Sequence, residues 1–126
     1  MEKSQALAAL SALANDARLD LVRLLMPLGD QGLAAGEISR TLGLSSSRLS
    51  FHLAALEQAG LIRSRKVARY VFYSVDAAGM GATISFLLND CCMEHPEVMA
   101  CCLHDAGVTA TVAAPVPAPV TVPQGS

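Results

Sequence analysis

Apolar residues recur at helical spacing along most of the chain as far as Cys91, and this spacing predicts five helices. In the second of them, Leu19, Val22 and Met26 recur at i, i+3 and i+7, which predicts a buried stripe. Asn15 precedes the second helix and Ser45 precedes the fourth, and both residue types are favoured N-caps. The predicted helices span residues 5–14, 16–26, 35–42, 46–59 and 76–91.

The periodicity changes between the fourth and fifth predicted helices. Residues 61–66 and 70–75 contain β-branched and aromatic side chains at short spacing, and residues 67–69 separate them. This pattern predicts a β-hairpin. The chain is therefore expected to be mainly α with one β-hairpin (α+β), in which a helix-turn-helix is followed by a wing.

Charge is distributed unevenly along the sequence. The formal net charge is −2, yet residues 38–75 contain six basic residues and a single acid, Glu57, and no Lys or Arg follows Asp76. One face of the protein is therefore expected to meet an anion. Hydrophobic residues make up 52% of the chain and charged residues 16%, so some apolar surface is expected to be buried between subunits.

Two short helices joined by a turn and followed by a basic hairpin are typical of a winged helix-turn-helix DNA-binding domain. Short polar side chains let the fourth helix sit deep in the major groove, where Arg48 can reach a guanine edge or a phosphate. Basic residues of the hairpin would supply salt-dependent affinity for the DNA backbone; a merely solvated basic face is the alternative. The residues predicted to face DNA are Ser46, Ser47, Arg48, Ser50 and His52 on the helix, and Arg63, Arg65, Lys66 and Arg69 in the hairpin.

Three motifs resemble the ArsR/SmtB family of transcriptional repressors. Residues 13–19 (LANDARL) are similar to the opening motif of that family, residues 47–56 (SRLSFHLAAL) to its recognition helix, and residues 59–62 (AGLI) to the segment before its wing. The resemblance implies a homodimer formed by the first and last helices of the domain, bound to double-stranded operator DNA and released by an inducer. The wing tip differs, since Val67 and Ala68 stand where the family often has Gly.

All four cysteines lie in one short segment: Cys91, Cys92, Cys101 and Cys102. Thiolates favour soft ions. Adjacent residues of an ideal helix point about 100° apart, so Cys91 and Cys92 can converge on one ion only where the helix unwinds, which Pro96 favours. With Cys101 or Cys102 as the third ligand, the set suits trivalent arsenic or antimony as the inducer. The resemblance to ArsR proteins with a C-terminal cysteine site points the same way.

Several alternatives remain for the cysteine segment. His95 or His104 could complete a zinc or cadmium site, or be solvated, and Cys91 could be a core residue. The thiols could instead be a redox or persulfide switch on the same fold. Alternatively, the protein could buffer metal ions. The sequence has no Gly-rich phosphate loop and no nucleophile elbow, so we expect neither an enzyme nor an organic cofactor.

The sequence also predicts where the chain divides. Residues 1–92 are expected to form the DNA-binding and dimerisation domain, residues 93–107 the inducer-binding segment, and residues 108–126 a disordered tail rich in Ala and Pro. No segment is apolar and long enough to cross a membrane, and no continuous apolar core follows the first residues. We therefore expect a cytoplasmic protein with free thiols and no contact with a membrane.

Overall fold

The structure, a computed structural model, describes the backbone of residues 1–107 and the side chains of residues 1–102. The predicted tail, residues 108–126, lies outside the described residues. A 3-10 segment (Met26–Gln31) and a π-helical turn (Leu87–Cys91) accompany the helices and strands. The main elements are α1 (Lys3–Leu13), α2 (Asp16–Leu25), β1 (Leu33–Ala34), α3 (Ala35–Leu42), α4 (Ser46–Gln58), β2 (Ile62–Val67), β3 (Tyr70–Val75), α5 (Ala77–Phe86) and α6 (Pro96–Gly107).

Local sequence signals explain where the central helices begin and end. The Asn15 side chain accepts a hydrogen bond from the Arg18 amide at 3.2 Å, and the Ser45 hydroxyl accepts one from the Arg48 amide at 3.3 Å. Both side chains are N-caps, as predicted. Gly43 closes α3 in the left-handed conformation, with φ at 67°, which glycine adopts without strain. The turn between α3 and α4 is therefore encoded locally.

The predicted hairpin is confirmed and belongs to a three-stranded antiparallel sheet with the order β1-β3-β2. Its register pairs Ile62 with Val75 at one end and Val67 with Tyr70 at the tip. Strand β1, which the sequence analysis did not predict, pairs with β3 on the other side. Gly32 permits this pairing, because a Cβ there would lie 2.0 Å from the Tyr73 carbonyl oxygen.

The core forms where α1, α2, α3 and α4 meet the sheet, and its largest fully buried side chains are Leu21, Leu25, Ile38, Leu56, Leu61 and Ile62. The predicted stripe on α2 is wrong at two positions, since Leu19 and Met26 are nearly half exposed while Leu21, Val22 and Leu25 are buried. Leu19 lies two residues before Leu21 and points about 200° away around the helix. Two apolar series overlap on α2: Leu19, Val22 and Met26, and Leu21, Val22 and Leu25. Both have helical spacing, and the prediction was based on the more exposed series.

The predicted fifth helix is interrupted before the cysteines. It is α-helical only as far as Phe86, and the Cys92 amide donates to the Leu87 carbonyl at 2.8 Å, which is the i→i+5 bond of a π-helix. The chain divides into two compact units at this change, Met1–Phe86 and a second unit that begins at Leu87. Residue 92, where the sequence predicts the end of the DNA-binding and dimerisation domain, lies six residues after Phe86. No helix among residues 1–107 has the length and apolar character needed to cross a membrane.

Candidate nucleic-acid interface and cysteine segment

Helix α4 presents a polar surface at its N-terminal end and a buried surface towards the core. Leu49, Leu53 and Leu56 are buried. Four of the residues predicted to face DNA are exposed in the N-terminal part of the helix: Ser46, Ser47, Arg48 and Ser50. Short hydroxyl side chains beside one arginine leave the helix narrow enough to enter a major groove and able to hydrogen-bond base edges or phosphates.

The structure differs from the prediction at His52, which we expected to donate to DNA. His52 is only 7% exposed, because it lies three residues after Leu49 and four before Leu56, on the inner face of α4. Its Nδ1 accepts a hydrogen bond from the Arg18 Nε of α2 at 3.1 Å, which requires the neutral ring with its proton on Nε2. Burial, and then the charges of Arg18 and Arg48, hold the pKa of His52 below its ordinary value. His52 therefore joins α4 to α2.

The sequence did not predict a role in the site for two residues of this region, Arg18 and Phe51. The Arg18 guanidinium lies over the Phe51 ring, 5.4 Å from its centre. The rings of Phe51 and His52 meet edge to face at 5.6 Å. The spacing within α4 carried a signal, since Phe51 falls outside the series of buried leucines, but the contact with Arg18 joins residues more than thirty positions apart.

The wing carries its basic side chains in two different situations. Arg63 pairs with Asp30 at 2.9 Å, and Arg65 donates to the Gln31 carbonyl at 3.0 Å while lying over the Phe72 ring at 5.0 Å. Both arginines are therefore tied to the 3-10 segment before β1. Lys66 and Arg69 are exposed, and no ion pair is found for either within residues 1–102. These two cations near the hairpin tip are the ones most available to phosphate.

In the second unit, the Cys92 thiol is affected by two of the other three thiols. Cys91, Cys101 and Cys102 are exposed, Cys92 is half-buried, and all four are free. Desolvation, and then the neighbouring thiols of Cys91 and Cys102, raise the pKa of Cys92. Among the described side chains, no three His, Cys, Asp or Glu groups lie close enough together to form a ready metal site.

The backbone of the cysteine segment departs from a regular helix just after Cys92. Met93 and Glu94 both have left-handed φ angles, 53° and 55°, which non-glycine residues rarely adopt. The Glu97 amide donates to the Nδ1 of His95 at 3.2 Å, so His95 caps α6 and only its Nε2 remains as a possible ligand atom. The side chain of His104 lies outside the described ones.

A short turn between two helices, an exposed polar second helix and a basic two-stranded wing define a winged helix-turn-helix DNA-binding protein. A family model described as a helix-turn-helix domain matches residues 13–65. The transcriptional activator HlyU of Vibrio cholerae is 43% identical over 89 residues, which are 69% of this chain and 80% of HlyU. A solved structure of HlyU from Vibrio cholerae is 42% identical, covers 73% of this chain and 99% of its own, and has a TM-score of 0.55.

Two further relatives carry the name of the family indicated by the sequence motifs. A protein named ArsR from Halobacterium salinarum is 37% identical over 70 residues, 56% of this chain and 54% of that protein. The solution structure of the homodimeric winged helix-turn-helix domain Mb0332 from Mycobacterium bovis is 25% identical, covers 73% of this chain and 82% of its own, and has a TM-score of 0.57. The chain belongs to the ArsR/SmtB family of winged helix-turn-helix transcriptional regulators.

Proposed function

We propose that this protein is a homodimeric repressor that releases its operator DNA when trivalent arsenic or antimony binds to thiols of the cysteine segment. The observation that carries the proposal is the confinement of all four cysteines to residues 91–102, next to an irregular backbone that follows α5 directly. Its relatives include an activator by name, HlyU, so the sign of regulation belongs to the proposal.

The DNA-binding part of the proposal assigns separate tasks to α4 and the wing. Ser46, Ser47, Arg48 and Ser50 would reach base edges in the major groove, while Lys66 and Arg69 would contact phosphates. Arg63 and Arg65 would contribute less to affinity, because each already has a partner within the protein. This division predicts sequence preference from the helix and salt dependence from the wing.

Exposed apolar side chains support dimerisation through α1 and α5. Leu7 on α1 and Ile84 on α5 are both about half exposed, and large apolar groups exposed on neighbouring helices are typical of an interface. The relative Mb0332 is a homodimer. A two-fold dimer would place its two recognition helices in successive major grooves, about 34–36 Å apart.

Donor chemistry supports a soft inducer. The cysteine segment offers thiol ligands rather than a cluster of carboxylates, which favours thiophilic ions over hard cations. Arsenite, as As(OH)3, would exchange its three hydroxyl groups for three thiol sulfurs. Each thiol proton would leave with one hydroxyl group, so three waters are released and the oxidation state of arsenic does not change. Cys91, Cys92 and Cys102 are favoured because the thiols of Cys91 and Cys102 both help to raise the pKa of Cys92, and one relative carries the name ArsR.

The proposed coupling follows the chain from the cysteines to the DNA. The π-helical turn that ends at Cys91 continues from α5, so an ion held by Cys91 and Cys92 would alter how α5 ends. Since α5 would also form the dimer interface, its packing would set the separation of the two recognition helices. A coupling of about 1–3 kcal/mol is sufficient for ordinary allostery.

The experiment is a titration of DNA release in excess reductant, with arsenite, antimonite, zinc, cadmium and an oxidant compared side by side. Release by arsenite or antimonite under reducing conditions supports the proposal. Release that needs an oxidant would instead identify a thiol redox switch, the second candidate, which the influence of the Cys91 and Cys102 thiols on the pKa of Cys92 also favours. Release by zinc or cadmium alone would identify a different ion.

A further inference from the structure

The recognition helix carries one large apolar side chain that the proposed contacts do not use. Phe51 is 65% exposed, although phenyl groups are among the side chains most often buried. It stands on the same face of α4 as Ser47 and Ala54, which lie one helical turn before and almost one turn after it. The face that would enter the groove therefore has an aromatic ring near its middle.

The Phe51 ring is held in place rather than free to collapse onto the surface. The Arg18 guanidinium covers the ring at 5.4 Å, and the His52 ring meets it edge to face at 5.6 Å. Arg18 is itself fixed, because its Nε donates to the His52 Nδ1 at 3.1 Å. The ring is thus oriented before any partner binds, so little conformational entropy would be lost on binding.

A phenyl ring has no hydrogen-bonding group, so it cannot read the donors and acceptors of base edges. The one apolar group in the major groove is the thymine 5-methyl, which apolar side chains contact. We infer, on the basis of the proposed DNA-binding function, that Phe51 is a specificity-determining residue that recognises a thymine methyl group in each half-site, and that Arg18 is the positioning residue that holds its ring.

The test uses the full-length protein and an operator obtained by selection from random duplex DNA. Each thymine of a half-site is replaced in turn by deoxyuridine, which lacks only the 5-methyl group, and Kd is measured at fixed salt. The wild-type protein should bind about threefold to fourfold more weakly when one particular thymine is replaced, as expected for loss of one buried methyl group. Replacement in both half-sites should weaken binding about tenfold.

Variants separate the contribution of Phe51 to thymine recognition from the contributions of its neighbours. Phe51→Ala should bind thymine and deoxyuridine operators equally, while Ser47→Ala should keep the full difference. Arg18→Gln can still donate to His52 but places no cation over the ring, so it should reduce the difference without unfolding α2. Arg18→Lys, which restores a cation, should recover part of it. Circular dichroism and sedimentation check that Phe51→Ala remains folded and keeps its oligomeric state.

The outcomes distinguish this inference from the function on which it depends. If no sequence is selected from random DNA, the proposed function fails. If an operator is selected but no single thymine-to-deoxyuridine change weakens binding, or if Phe51→Ala keeps the same difference as wild type, the inference about Phe51 is wrong. A change of oligomeric state in Phe51→Ala would instead assign the ring to a protein interface and would likewise overturn it.

Discussion

The α-carbon of Gly79 in α5 packs directly on the carbonyl group of Gly60, which follows α4. A Cβ at position 79 would lie 1.8 Å from that carbonyl oxygen. The position is further fixed because the Gly79 amide donates to the Asp76 carboxylate at 3.0 Å and the Thr83 hydroxyl donates to the Gly79 carbonyl at 2.9 Å. The proposed dimerisation helix therefore touches the end of the recognition helix through backbone atoms.

This close approach makes Gly79→Ala a destabilising substitution. The new methyl group must push α5 away from Gly60, and overpacking of this kind typically costs about 1–3 kcal/mol. Gly81→Ala on the same helix is the matched control, because a Cβ there has no atom within 4 Å, and it should stabilise the protein by about 0.5–1 kcal/mol. Urea denaturation measures both. Equal effects at the two positions would contradict the packing described here.

The two kinds of basic residue predict two kinds of DNA-binding defect. Lys66→Ala and Arg69→Ala should weaken binding to all sequences alike, and each should lower the salt slope by about one, because one phosphate fewer is neutralised. Arg48→Ala should instead change sequence preference, with binding weakened by about 1–3 kcal/mol at one base pair.

Titration of binding against salt, with operator and random DNA, separates these effects. Arg63→Ala should change the slope less than Lys66→Ala, since Arg63 is paired with Asp30, and Lys3→Ala on α1 serves as the neutral control. If the Arg48 and wing variants behave alike, the roles assigned to α4 and the wing are wrong.

The lowered pKa of His52 predicts that stability depends on pH. In the unfolded chain His52 titrates near its ordinary value of 6.5, whereas in the folded protein its pKa is lower, chiefly through burial. The unfolded chain therefore takes up the proton first as pH falls. The contribution of His52 is fully present above about pH 6.5 and is lost as pH falls through the folded-state pKa.

The free energy of unfolding measured by urea at pH 7.5 and pH 5.5 should accordingly fall with pH for the wild type. His52→Gln should show a smaller fall, because the amide oxygen can accept from Arg18 without titrating. A wild-type dependence that survives in His52→Gln would show that another group causes it.

The features that were predictable from the sequence depend on local interactions. Caps at Asn15 and Ser45, the left-handed Gly43 and the β-branched residues of the hairpin act over a few residues, so they appear as short patterns. The burial of His52, the pairing of Arg63 with Asp30 and the strand before α3 depend on residues distant in sequence. The apolar stripe of the predicted fifth helix continues unchanged through the π-helical turn at Leu87, so the periodicity predicted an uninterrupted helix there.

The exposed apolar residues on α1 and α5 predict that one substitution can prevent dimerisation without unfolding the subunit. Ile84→Asp places a charge on a side chain that is already 47% exposed in the single chain, so the subunit should remain folded. At the proposed interface the charge would be buried without a partner, which is strongly unfavourable. Sedimentation should show a monomer with wild-type helicity and weakened operator binding. A stable Ile84→Asp dimer would contradict an interface through α5.

The cysteine segment gives the most direct test of the switch. Cys92→Ser should bind operator with wild-type affinity and stay bound in arsenite, because a hydroxyl group is a poor ligand for a soft ion. Cys91→Ser should behave in the same way. Between the remaining pair, Cys102→Ser should reduce the response more than Cys101→Ser, since Cys102 is the one that interacts with Cys92. If either can serve as third ligand, only the double replacement abolishes the response.

Arsenite-dependent release of a labelled operator under strong reductant measures the response of all these variants. For a coupling of about 1–3 kcal/mol, saturating arsenite should weaken wild-type operator binding by about 5–150-fold, whereas the variant with all four cysteines replaced by serine should show no change. Deletion of the residues after Ala110 leaves every proposed ligand in place, so that shortened protein should both bind and release DNA normally. Release from the four-serine protein would place the inducer site elsewhere. If the wild type binds operator but does not respond to arsenite, the proposed DNA-binding function stands and the proposed metalloid inducer is wrong.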